Sequence, residues 1–184
     1  MWRFVSVASP AEPVSVAQAR QQCNLLADET DFDDKLALLI TAARRHVEKV
    51  CGLYFGTRAV VMTSDTFSDL SRLPVAPVAA VASIGYIDPD GAPQVVPEEN
   101  YELVRHDEDG IEPAIVPVYG ASWPVIQPGS QITLALTAGF IETPGDVHHA
   151  MLLWIDDAFA SREPAPAGVW TTIDSLLCNY RRGI

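Results

Sequence analysis

Two adjacent histidines, His148 and His149, two acidic runs at 28–34 and 106–109, and three cysteines are the residues best suited to chemistry. Neighbouring positions on a helix point about 100° apart, so the histidine pair cannot readily chelate one ion; zinc-binding helices space their ligands at i and i+4. With Glu142 and Asp146 nearby, the pair reads as a solvated first turn. The run DETDFDD has the acid count of a calcium loop but not its pattern. With Asp28 as first position, Asp33 falls where the central glycine belongs and Leu39 where the closing glutamate belongs. HDED at 106–109 reads as a solvated hairpin tip. No pair among Cys23, Cys51 and Cys178 has zinc-knuckle or CxxC spacing, so the sequence predicts three reduced thiols, as in a reducing cytosol. No nucleophile elbow, phosphate loop or dinucleotide fingerprint occurs. The sequence therefore assigns no catalytic residue, no cofactor and no metal ligand. The enzyme alternative is a hydrolase-like protein with a diffuse site around His106 or His148, which a deep pocket with convergent polar groups would favour.

Composition narrows the classes further. The chain of 184 residues is 48% hydrophobic, enough for a real core and too apolar for disorder. No apolar run approaches the ~18 residues of a membrane span. The opening MWRFVSVASPAEPVSV has one arginine and a short apolar stretch, and is read as an arm rather than a signal peptide. The net charge is −12 and the twelve Lys and Arg are scattered, which argues against a patch that grips phosphates. DNA could pass such a body without sticking.

The positioning elements follow from periodicity. Ser15 and Gln18 form a capping box for a helix near 15–26, with Val16, Ala19, Cys23 and Leu26 on one face. A second helix spans 31–51. Thr30 or Asp31 caps it, Asp33 and Asp34 lie in its first turn, Arg44, Arg45, His46 and Lys49 lie toward its end, and Gly52 closes it. This charge sorting suits the helix dipole. Leu36, Leu39, Ile40, Ala43, Val47 and Val50 form its buried stripe. Short Val-, Ile- and Thr-rich segments broken by Pro and Gly then predict strands over about 57–140, with DPDG at 88–91 as a turn. Trp123 before Pro124 reads as a packing anchor. A third helix near 144–162 is capped by Thr143, has Pro144 at its first position, and buries Val147, Met151, Trp154, Ile155, Ala158 and Phe159. The spacer EPAPAG leads to a fourth helix near 170–180. The expected fold is α+β: mainly a helical bundle with a small antiparallel region inserted. It divides into 1–56, an arm and helical part; 57–142, the β region; and 143–184, a helix plus tail, in one compact domain.

The order of these pieces carries a resemblance. A capped helix and acidic linker precede D-D-x-L-x-x-L-I-x-A-A-R-x-x-V-E-x-x-x-G at 33–52. Then come S-I-x-Y-x-D-x-D-G at 83–91, G-x-S-W-P at 120–124, A-G-F at 138–140, a helix opened by Pro144, and L-L-x-x-Y-R-R at 176–182. Together they resemble the head–tail connector (adaptor, or head-completion) family of long-tailed phages, prophages and gene transfer agents, over nearly the whole chain. The resemblance implies a non-enzymatic virion neck protein assembled in the host cytoplasm. Its partners would be the portal protein, copies of itself in a ring of about twelve, and the next tail or stopper protein. DNA would pass through the channel without sequence-specific binding, and no membrane is involved. Another tail-completion or terminator protein is the alternative within the virion class.

The tail is the expected portal-docking segment, the alternative being that it folds back on the chain's own helices. Trp170, Ile173, Leu176, Leu177 and Tyr180 are too apolar for an idle terminus, and a proline-rich spacer holds them out. Arg181 and Arg182 would meet acidic or carbonyl partners near a helix end.

Overall fold

Alternating apolar and polar residues make strands with one buried face. The computed structural model describes residues 1–105, 111–161 and 171–182. In it β2 (Arg58–Ser64) and β7 (Ile132–Ala138) each bury every second residue. They pair antiparallel in unbroken register, from Arg58 opposite Ala138 to Ser64 opposite Ile132. β3 (Val78–Ile87) pairs with the other side of β7, β4 (Pro93–Val95) with β3, and β1 (Arg3–Val7) with β2. The order across the five-stranded sheet is β1-β2-β7-β3-β4. β5 (Tyr101–Arg105) and β6 (Pro113–Pro117) form a separate antiparallel pair. Val60, Met62, Ile84, Leu134 and Leu136 line the buried face, and Leu70, Leu73 and Ile115 are buried in the same unit. The expected turn joins β3 to β4. The Asp88 carboxylate accepts the N–H groups of Asp90 at 3.0 Å and Ala92 at 2.8 Å, and Gly91 takes a φ of 86°.

This overturns the expectation of a mainly helical bundle carrying a small β insert. The strands form a compact unit of their own, residues 1–10 with 57–141, and the helices form a second, 11–56 with 142–184. Prolines within Val- and Ile-rich segments read in sequence as strand breakers. They punctuate the strands instead: Pro93 opens β4, and Pro113 and Pro117 bound β6. The opening arm also becomes an edge strand.

The helices keep their predicted places with shifted ends. α1 (Val16–Gln22) has the expected capping box between Ser15 and Gln18. It stops at Gln22, and Asn24 turns the chain with a φ of 56°, so Leu26 leaves the buried face and is 70% exposed. α2 (Asp33–Cys51) begins after Phe32 with no side-chain cap, so neither Thr30 nor Asp31 caps it. Its start is tied down otherwise: Arg20 grips both Asp33 carboxylate oxygens, at 2.6 and 2.7 Å. Gly52 closes α2 in the left-handed region, φ 70°. α3 (Gly145–Ala160) starts one residue late, with Pro144 rather than Thr143 at the cap position. Val147, Met151 and Ile155 are buried, whereas Trp154 is half-buried and stacks on His46 at 5.8 Å.

On α2 the buried set is Leu36, Ile40, Ala43, Arg44, Val47 and Cys51. Leu39 and Val50 are only half-buried. Arg44, one of the basic residues expected near the end of a dipole-sorted helix, is a buried guanidinium. Its Nε donates to Glu12 at 2.8 Å and its Nη1 to Glu48 at 2.9 Å. Burial opposes this charge, but the bond to Glu12 and the charge of Glu48 outweigh it, and the guanidinium stays above its ordinary pKa. Removing one partner of such a group strands the others. Arg44→Ala is expected to lower stability by about 3 kcal/mol in urea unfolding. Arg45→Ala, exposed on the same helix, is expected to stay within about 0.5 kcal/mol.

Candidate functional site

A terminal segment that follows α3 and carries apolar residues at helical spacing must either pack on its own chain or present them. α4 (Thr172–Leu177) is opened by a capping box: the Thr171 hydroxyl accepts the Asp174 N–H at 3.2 Å, and the Asp174 carboxylate accepts the Thr171 N–H at 3.0 Å. Leu177 is fully buried, while Ile173, Leu176 and Tyr180 are half-buried and Arg181 is exposed. α4 packs on α3 and touches α2. Both residues of the basic pair have partners within the chain itself. Arg181 Nη2 donates to Asp174 at 2.6 Å, and the backbone N–H of Arg182, not its side chain, donates to the Cys51 carbonyl at 2.8 Å. That carbonyl belongs to the last turn of α2, where acceptors lack helical partners. A Cβ on Gly52 would stand 3.4 Å from Arg182 Cβ, so the two segments are in close contact. Trp170, expected on the same stripe, lies outside the described residues, as does His106.

The other candidate groups do not converge. Cys51 is buried and its thiol is pushed up to about 11, Cys23 is half-buried, and Cys178 is exposed. Among the described residues no three His, Cys, Asp or Glu side chains form a metal-holding group. His148 lines a groove of about 600 Å³ with Gln18, Gln21, Gln22, Asn24, Leu152 and Asp156. That lining contains no hydroxyl or thiol that His148 could activate. Trp123 is an anchor: its ring stacks on Phe67 at 5.0 Å, 4° from parallel. The loop it anchors presents Tyr119, fully exposed, and Val125, 75% exposed. Exposed apolar groups of this kind are suited to contact with another molecule.

Several solved structures share this architecture along the full chain. One, from the neck of an empty gene transfer agent particle computed with C6 symmetry, superposes with a TM-score of 0.79 at 25% identity, covering 100% of this chain and 96% of that one. The chain has the fold of a gene transfer agent neck protein. A chain in the virion of a native gene transfer agent particle also gives 0.79, at 24% identity and the same coverage. One in the neck of a native particle computed with C12 symmetry gives 0.73 at 22%, again covering 100% and 96%. No protein-family model matches the sequence, and no curated protein does.

The Asp174 carboxylate sets a pH response for the tail. Backbone and side-chain hydrogen bonds from Thr171, with the bond and charge of Arg181, hold it below the usual carboxylate range. A depressed carboxylate stabilises the fold above its unfolded value, about 3.9, and that contribution is lost as the pH falls through the folded value. Protection of the amides at 174–182, taken relative to intrinsic exchange at each pH, is expected to fall below about pH 4 ahead of α2, and Asp174→Asn is expected to abolish that step.

Proposed function

We propose that the chain is a structural subunit of a virion neck, arranged as one copy in a ring between portal and tail, with no catalytic step of its own. The observation that carries this reading is the full-length likeness to a chain in a gene transfer agent neck, at a TM-score of 0.79 over 100% of this chain. The C6 and C12 symmetries of the similar necks support a ring of copies. The net charge of −12 suits a body past which DNA must slide, because like charges repel.

Within that reading the tail contributes the portal contact through its outward face. Leu177 seats α4 on its own helices, leaving Ile173, Leu176 and Tyr180 half-exposed beside Arg181, which is paired with Asp174. The double variant Leu176→Ser with Tyr180→Ser spares Leu177 and the Arg182–Cys51 bond. It is expected to fold but to reduce tail attachment to filled heads at least about tenfold, equivalent to about 1.4 kcal/mol. Particle counts by electron microscopy read this, with cells lacking the protein as reference. A folded variant that attaches tails normally would place the portal contact elsewhere on the chain. Normal tailed particles from cells lacking the protein would overturn the neck reading itself.

A further inference from the structure

Building on the ring reading above, we propose that neighbouring copies meet through the two opposite edges of the five-stranded sheet, β1 of one copy against the β4 edge of the next. The two edges differ in kind. All five residues of β1 are exposed, with Phe4 at 51%, Val5 at 64% and Val7 at 43%. Arg3 is the only charged side chain in residues 1–10. At the far edge Val95 is 63% exposed, with exposed Asp90 before it and exposed Glu98 and Glu99 after it.

An apolar, basic edge thus stands opposite an acidic edge carrying one apolar side chain. Arg3, Asp90, Glu98 and Glu99 form no salt bridge among the described residues. Asp65, whose charge Arg3 feels, is already engaged by the Met1 ammonium at 3.3 Å and the Gln131 amide at 3.0 Å. The whole chain carries 12 basic and 24 acidic residues; without residues 1–10 the balance is 11 to 24, or −13, so a second copy is an acidic partner for this edge.

Geometry points the same way. One lateral row of paired residues runs Arg3, Thr63, Thr133, Gly85, Val95, so the cation and the apolar knob end the same row at opposite edges. Two unlike patches on one subunit make a head-to-tail contact, the kind that closes a ring, whereas a self-complementary patch makes a dimer. The register of β1 breaks between Phe4 and Ser6, and β4 has three residues and begins with proline. A continued hydrogen-bond ladder is therefore disfavoured, and the contact consists of side-chain packing and ion pairs.

Crosslinking tests the proposal in assembled particles. Chains carrying Arg3→Cys with Val95→Cys, or Val5→Cys with Glu99→Cys, in a Cys178→Ser background, are treated with a short bismaleimide. Each pair is expected to give a ladder of multimers, and each chain with only one of the two introduced cysteines, like the Cys178→Ser background itself, monomer alone. If the chain is present in the necks and neither pair gives a ladder, or if chains with only one introduced cysteine give strong dimers, the edge contact is wrong while the neck reading stands. If the unsubstituted chain is absent from the particles, the neck reading fails and the edge contact fails with it.

Discussion

A guanidinium removed from water must be fully paired, and Arg44 meets that condition by holding three stretches of chain together. Glu12 lies where the chain enters the helical unit, and Glu48 lies one turn further along α2. Both acids have a second task. Glu12 also accepts the Thr41 hydroxyl at 2.9 Å, and Glu48 accepts the Phe55 N–H at 3.1 Å as the chain leaves α2. One buried charge thus links the segment before α1, the middle of α2 and, through Glu48, the segment that leaves α2. The neighbouring Arg20–Asp33 pair fixes α1 against the start of α2 in the same manner. Polar contacts of this kind are directional, so they specify how the helices meet where the apolar stripes alone would allow sliding.

The β unit obeys a different constraint. Its central strands are held by alternation, with Val60, Met62, Ile132, Leu134 and Leu136 on the buried side and Ala59, Val61, Thr63, Thr133, Ala135 and Thr137 on the other. Slipping β2 by one residue against β7 would turn Val60 and Met62 out to solvent, so the register is strongly specified at the centre. At the edges that penalty falls away. β1 buries none of its residues, and its register breaks.

Among the described residues the reactive side chains lie apart, and apolar groups stand at the surface. The His148 groove brings glutamine and asparagine amides to a histidine without a nucleophile, and the thiols lie apart in buried, half-buried and exposed settings. Exposed Phe4, Val5, Tyr119 and Val125 are groups whose burial against another molecule is favourable, at roughly 25 cal/mol per Å². The proposed place in a neck would bury such groups against other subunits, and the full-length likeness to a neck chain supports it.

Local chemistry made much of this legible. Ser15 with Gln18, Gly52 at the end of α2, the Asp88 turn and the period-2 alternation of 58–64 and 132–138 depend only on residues within a few positions of one another. Sequence therefore determined them, and the order of its motifs already resembled a connector. The weight of the two units, the fate of Arg44 and the seat of the tail were not legible. A proline that breaks a strand reads the same as one that bounds it until the partner strand is in place. A basic residue near the end of a helix looks solvated until Glu12, 32 positions earlier, is brought to it. Likewise Arg182 follows Cys51 by 131 positions, and only the packing of α4 on α2 and α3 makes their backbone bond. Short-range patterns encode elements; long-range closure decides which charges are buried, because that depends on what each charge meets in space.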